Sequence, residues 1–445
     1  MALYVSKKGI WGWMSFDWAS QPFHTLLVTF IFAPYFTSTV IGDSVTGQEA
    51  WALMLTITGI FIAILAPILG SIADNAGPRK PWILIFSVLI TVGSFGLWWA
   101  VPNMSSITLI LISFGAALIG VEFAAIFINA MLPSLGSKDE IGRISGSGWA
   151  FGYWGGVLAL FIMLLLLAEN NEGVTLLGIA PIFGFDPELR EGTRSVGPLS
   201  AIWYVVFIIP FFLWTPDVKK KTLQSGYMSK GFKDLIKTLK SLPGQTSLSA
   251  YLLSSMFYRD ALNGLYAFGG IYAAGVLGWS ITQIGVFGII AAITGAIFAW
   301  AGGHADKKFG PKTVIVFCAF ALILVVSAIA STSREMLLFM PIAEGSGAPD
   351  ILFYICGAVI GGAGGAMQAA SRTMLVRQAN PDRMTEAFGL YALSGKATAF
   401  LAPAAILLAT SLTGSQRLGM TPLIGLFVIG LILLIWVNPK GANAE

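Results

Sequence analysis

The sequence predicts an all-α polytopic membrane protein, with twelve transmembrane helices in two related groups of six and both termini in the cytoplasm. Three observations carry that expectation: the composition, the placement of Lys and Arg, and an internal repeat. Of the 445 residues 56% are hydrophobic and 11% are charged, and the mean hydropathy is +0.79. Soluble domains carry about 25% charged residues, and surface-to-volume scaling leaves a soluble fold no means of burying such an excess of apolar surface. A net charge of +4 over this length is no basic stripe, so a nucleic-acid partner is not expected.

A membrane span needs about 20 mostly apolar residues. Stretches of that kind lie at 13–36, 50–71, 81–101, 106–132, 147–168 and 199–215, and then at 248–274, 280–303, 313–332, 350–376, 385–411 and 419–437. With the N-terminus in the cytoplasm, the connections on that side hold 19 of the 26 basic residues, including Lys7, Lys8, Arg79, Lys80, Lys138, Arg143, Arg377, Arg383 and Lys440. Arg190, Arg194, Arg334 and Arg417 fall outside, and Arg259, Arg372 and Lys396 fall within spans. Because Lys and Arg concentrate in cytoplasmic loops, this bias places both termini and the central loop inside. Asp17 interrupts the first apolar run, so no cleaved signal peptide is expected.

The expected organisation is an N-terminal bundle at 1–215, a cytoplasmic linker at 216–247 and a C-terminal bundle at 248–445. Within the linker, GFKDLIKTLKSL sets Phe232, Leu235, Ile236 and Leu239 at helical spacing with lysines opposite. That pattern predicts an amphipathic helix on the anionic leaflet, with a regulatory contact as the alternative. The outside loop at 169–198 suggests no chemistry. Cys318 and Cys356 sit singly in apolar runs and read as small buried hydrophobes.

The two groups of spans repeat one design. INAMLPSLGSKDEIGRISGSGWAFGY aligns with SRTMLVRQANPDRMTEAFGLYALSGK at an offset near 243, which also carries Asp17 onto Asp260. GSIADNAGPRK aligns with GGHADKKFGPK at an offset near 232. Parallel six-span repeats are an arrangement found in transporters. GSIADNAGPRK, with Gly70, Asp74, Gly77, Arg79 and Lys80, resembles the signature loop of major facilitator transporters. Its echo carries Gly302, Asp306, Gly310 and Lys312. Further stretches (SFDWASQPF, NAMLPSLG, GRISGSGWAFGYWGG, SMFYRDALN, GGAGGAMQAASRTM and AFGLYALSGK) resemble the bacterial branch related to the fungal vacuolar amino-acid effluxer of autophagy, over about residues 11–403. The resemblance implies a major facilitator fold whose spans 1, 4, 7 and 10 line a central cavity, and signature loops that govern conformational switching. It also implies a multi-pass protein of the bacterial inner membrane that acts as a monomer among membrane lipids.

Ionisable groups inside a membrane are costly and mark functional sites. Six stand out: Asp17, Glu122, Arg259, Asp260, Arg372 and Lys396. Polar residues at helical spacing enlarge the set: His24 two turns after Asp17, Asn129 likewise after Glu122, Asn263 one turn beyond Arg259 and Gln368 one turn before Arg372. Acids dominate the first half and bases the second, a division that suits a zwitterion such as an amino acid or short peptide, or an anion exchanged with protons. Glu122 is the expected proton site. Arg372 either anchors an anionic substrate group or neutralises Glu122, and Asp17 and Asp260 either act in transport or cap helices and lock the halves. Gly148, Gly152 and Gly156, like Gly357, Gly361 and Gly365, recur every four residues and predict close helix packing.

No Walker, GxSxG or HExxH motif occurs, so neither catalysis nor a cofactor or metal is expected. The expectation is a gradient-driven secondary transporter of a small polar or zwitterionic solute, an amino acid or derivative, coupled to protons and working in export. Two alternatives stay open: an exporter of amphiphilic or drug-like compounds, suited by 31 Phe and 14 Trp, and a non-transporting sensor built on the same scaffold.

Overall fold

The computed structural model describes residues 5–42, 44–137, 139–170, 172–217, 227–279 and 281–441. Lys138 and lysines 219, 220 and 221, which figure in the charge bias, lie outside them. The first half comprises α1 (Lys7–Pro22), α2 (Ser44–Ala76), α3 (Lys80–Gly96), α4 (Thr108–Asn129), α5 (Ile141–Ile162) and α6 (Val196–Trp214). The linker holds α7 (Tyr227–Ser241). The second half comprises α8 (Thr246–Leu277), α9 (Ile281–Phe309), α10 (Pro311–Ala330), α11 (Ala348–Gln378), α12 (Met384–Ala397), α13 (Leu401–Thr413) and α14 (Pro422–Leu434). A two-stranded hairpin, Met336–Leu337 against Met340–Pro341, is the only sheet among the described residues.

Eleven helices among the described residues are long and apolar enough to cross a membrane, one fewer than the twelve expected spans. The expected span at 248–274 falls in α8, a continuous 32-residue helix that is not among the eleven. Its Arg259–Asp260 pair and its many Ser, Asn and Tyr residues lower its hydropathy. Two other expected spans are irregular. Beyond α1 the chain widens into π-helix at Phe23–Phe30 and again at Phe36–Val40, after Pro22 and Pro34, neither of which can donate a backbone hydrogen bond. The span at 385–411 is broken at residues 398–400, between α12 and α13. Pro403 lies just beyond the break and cannot donate to a carbonyl one turn back, so the helix restarts instead of running through.

Within the first half α1 packs on α5 and α6, and α3 on α4; within the second α9 and α10 pack on α11, and α8 on α14. The two most extensive contacts between the halves are α2 with α12 and α5 with α9; α5 with α11 and α4 with α12 add smaller ones. Both of the larger junctions are backbone to backbone. A Cβ on Gly70 would stand 2.5 Å from the Thr385 carbonyl oxygen, and one on Gly389 would stand 2.5 Å from that of Ala66. At the second junction a Cβ on Gly303 would stand 2.7 Å from the Gly142 carbonyl oxygen. The predicted glycine stripes pack closely too: Gly152 lies on the Asp17 backbone of α1, and Gly361 and Gly365 lie on α9 at Ala291 and Gly295. Outward-facing side chains such as Leu53, Ile57, Ile64, Val88 and Leu324 are exposed, which the hydrocarbon of a bilayer tolerates and water does not.

The loop at 169–198 is tied down by buried polar contacts. Glu169 accepts hydrogen bonds from the Thr193 backbone N–H at 3.1 Å and from its hydroxyl at 2.8 Å, and Arg194 donates to the Trp98 carbonyl.

Candidate functional site

The six intramembrane charges fall into separate clusters that the sequence did not pair. Arg372 on α11 is buried and reaches across to the first half. Its guanidinium lies 3.2 Å from Asp17, donates to Asn129 Oδ1 at 3.1 Å, and grips Ser145 through the hydroxyl at 3.1 Å and the carbonyl at 2.7 Å. The rings of Trp13 and Trp149 lie 5.2 Å and 5.3 Å from it. This is a closed, fully occupied site. Asn129, expected beside Glu122, belongs to it, and Arg372 neutralises Asp17, not Glu122.

Glu122 on α4 pairs instead with Lys396 on α12, Nζ to Oε1, at 3.1 Å. Unlike the Arg372 site this pair stays open, with side chains 27% and 30% exposed against 5% for Arg372. His24 and Arg259 lie within electrostatic reach of Glu122. Arg259 is held over the Tyr391 ring at 3.9 Å and donates to the Tyr391 carbonyl at 3.0 Å. One carboxylate therefore meets Lys396 directly, with Arg259 and an imidazole acting on it at longer range. Lys396 occupies the last turn of α12, just before the helix break, where a cation also complements the helix dipole.

Asp260 accepts a hydrogen bond from the Ala402 backbone N–H at 2.7 Å. It caps α13 where the broken span restarts, so the symmetry with Asp17 in sequence is not one of role. Gln368 makes polar contact with Tyr266, which in turn meets Tyr153 of α5, another link between the halves. Asn263 is exposed on α8.

The signature-loop residues gather at one end of the junctions. Asp74, at the end of α2, accepts from the backbone N–H groups of Thr385 at 3.2 Å and Glu386 at 2.8 Å, capping α12 of the other half. Arg79 binds Asp74 at 3.3 Å and the Thr385 hydroxyl at 3.0 Å. Lys80 donates to the Phe212 carbonyl at 2.8 Å, and in the repeat Lys312 donates to the Val437 carbonyl at 2.8 Å, each binding the end of its half's last helix. Gly77 and Gly310 both take positive φ, +97° and +83°, conformations that favour glycine, so the two loops turn alike. Asp306 lies buried against Gly142 at the start of α5 and pairs with Arg377 at 3.6 Å.

Several participants had not been singled out from the sequence. Arg383 joins Asp234 of α7 at 3.0 Å, bonds the Ser71 hydroxyl at 2.7 Å and pairs with Glu386, whose other oxygen accepts from Thr238 of α7 at 2.6 Å. The Ser71 hydroxyl donates to the Gly231 carbonyl at 2.6 Å. The linker helix is thus stitched onto the α2–α12 junction. Leu235 is buried there, while Phe232, Ile236 and Leu239 stay exposed. The repeat offered one available signal, the acid–base pair Glu140–Arg143 at the start of α5, which Arg383–Glu386 mirrors at the start of α12 with the charges reversed.

A helical membrane protein in two groups of helices, joined at two glycine-lined seams and locked by paired signature loops, has the architecture of a major facilitator transporter. Solved structures agree. The transporter FucP in its outward conformation superposes with a TM-score of 0.69 at 14% identity, covering 97% of this chain and 98% of that one. The human organic anion transporter MFSD10 does so with 0.69 at 13%, covering 96% and 98%. At these identities the likeness shows the fold alone. The chain belongs to the family described as vacuole effluxer Atg22 like, which residues 136–445 match. It is 24% identical over 437 residues, 96% of this chain and 94% of the relative, to the uncharacterized MFS-type transporter YxiO of Bacillus subtilis. It is 23% identical over 303 residues to autophagy-related protein 22 of Cryptococcus neoformans, covering 66% of this chain and 49% of that one. The protein is a multi-pass transporter and not an enzyme.

Proposed function

We propose that the protein is a secondary transporter that exports a small zwitterionic solute, an amino acid or a derivative, across a bacterial inner membrane in exchange for protons. The partly exposed Glu122–Lys396 pair carries this reading. It joins the two halves, it is open to a ligand, and the cations around Glu122 outnumber it. A solute carboxylate fits Lys396 and Arg259, with Arg259 already oriented by Tyr391. The solute's ammonium fits Glu122. A proton and an ammonium cannot share that carboxylate, so the two ligands alternate on it, which is exchange. Export accords with the effluxer description of the family, and the bacterial relative supports the membrane.

In this reading 1–215 and 248–445 are the moving bundles, and 216–247 is the linker between them. Gly70, Asp74, Gly77, Arg79 and Lys80, with Asp306, Gly310 and Lys312, form the gate. The Arg372–Asp17 cluster is part of the lock and not a substrate anchor, because its donors are already occupied.

The test is exchange in proteoliposomes preloaded with a panel of radiolabelled amino acids and dipeptides. Wild-type protein should drive uphill movement of at least one of them under a pH gradient. Glu122→Gln should keep downhill exchange and lose the proton-driven component. Uphill accumulation by Glu122→Gln with normal pH dependence would remove Glu122 as the proton site.

A further inference from the structure

A second candidate site lies apart from the Glu122–Lys396 pair. A cavity of about 630 Å³ opens sideways where α1, α5 and α9 meet, and none of the intramembrane charges lines it. Its walls are apolar and aromatic. Trp11, Trp154 and Trp300 stand around it with 55%, 44% and 53% of their surface exposed, so it faces the surrounding hydrocarbon and not the interior. The same cavity is also lined by Lys7, Arg143 and His304. Lys7 opens α1, Arg143 lies in the first turn of α5, and His304 lies near the end of α9, so three elements bring their polar ends to one rim. Glu140 lies 3.7 Å from Arg143 yet leaves its side chain 47% exposed, and His304 is fixed against the Trp300 ring at 4.4 Å. From Arg143 to Trp154 the groove runs about 16 Å along α5, at 1.5 Å per residue. That is a cationic head site continuous with an apolar trough the length of much of an acyl chain.

We propose that this groove binds an anionic phospholipid, its phosphate on Lys7, Arg143 and His304 and one chain along the trough. Charge complementarity selects the occupant: a zwitterionic lipid would set a choline or ethanolamine cation against a rim that already holds two permanent cations. The groove straddles the α5–α9 junction, one of the two main seams between the halves, so a bound lipid bridges both. The proposal is independent of which solute is carried.

The experiment is native mass spectrometry of the purified full-length protein in detergent, with dioleoyl phosphatidylglycerol and dioleoyl phosphatidylcholine added in equal amounts. Wild-type protein should retain the phosphatidylglycerol at least tenfold better. Lys7→Gln, Arg143→Gln and His304→Gln combined should reduce that preference to about twofold or less, and Lys230→Gln with Lys233→Gln in the linker should leave it unchanged. Brominated-chain phosphatidylglycerol should quench the intrinsic fluorescence of wild-type protein more than brominated phosphatidylcholine does. Trp11→Phe with Trp300→Phe should shrink the difference, a reading that needs no change at the rim. Equal retention of the two lipids by wild-type protein, an undiminished preference in the triple variant, or displacement of the lipid by a transported amphiphile would each overturn the proposal.

Discussion

At the scale of single residues the two charge pairs that cross the halves make opposite forecasts. Arg372 is buried and bonded to Asp17, Asn129 and Ser145 together. Removing one partner of such a pair strands a buried charge, which costs about 3–5 kcal/mol, whereas removing both partners costs far less. Arg372→Met should therefore lower the thermal unfolding midpoint in detergent sharply, and Asp17→Asn combined with Arg372→Met should recover most of it. Combining Arg372→Met with Glu122→Gln should recover nothing, and recovery there would mean that Glu122 is the true counter-charge. Lys396 pairs with Glu122 in a partly exposed setting, where screening leaves such a contact worth less than a fully buried pair. Lys396→Gln should leave the unfolding midpoint nearly unchanged while removing solute binding. A large drop in the midpoint with binding intact would assign Lys396 to structure and take the proposed anion site away.

At the scale of elements the proposed gate is one helix capped by a carboxylate from another. Asp74 supplies two acceptors to the N–H groups that open α12, and Arg79 holds it there. Asp74→Asn keeps the shape but weakens a charged cap, so turnover should fall strongly while solute affinity stays within about threefold; equal loss of both would make the loop a binding element. The linker helix α7 adds a second clasp through Asp234 and Thr238. Asp234→Asn with Thr238→Ala should raise protease cleavage in the linker without lowering the unfolding midpoint of the bundles. Much of this level was legible in the sequence. A membrane admits only segments whose backbone is satisfied internally, so apolar length marks most spans, and the repeat marks both signature loops. The break at 398–400 was not legible, because Pro403 near the end of an apolar run fits a continuous span as well as a broken one. Nor was the partnering: Asp17 and Arg372 are 355 residues apart, and helical spacing says which residues share a face but not which face they meet. Spacing put Asn129 with Glu122, whereas Arg372, reaching from α11 to the end of α4, takes it instead.

At the scale of the whole molecule the structure is held together by two kinds of glycine contact, and they should fail differently. Gly146 on α5 lies against the Ala299 carbonyl and Gly303 of α9, a contact between the halves; Gly361 on α11 lies against Ala291 of α9, a contact within the second half. Each leaves no room for a side chain, so Leu at either position forces the two backbones apart. If the halves rock against each other as bodies, the seam at Gly146 must part during every cycle, and Gly146→Leu should hold it parted. The protein should fold with an unfolding midpoint close to wild type. Spin labels on the signature-loop ends of α5 and α9 should then report a longer separation, and turnover should fall at least tenfold. On the same description the contact at Gly361 has no such freedom, since α9 and α11 belong to one half. Gly361→Leu should therefore lower the unfolding midpoint or abolish folding, with no separation of α5 from α9 in whatever protein survives. Overpacking a well-packed site costs about 1–3 kcal/mol, so the stability difference between the two variants is within reach of a thermal melt. If both variants melt alike and neither moves the spin labels, the seam does not open, and the alternating movement of two rigid halves is the wrong description of this transporter.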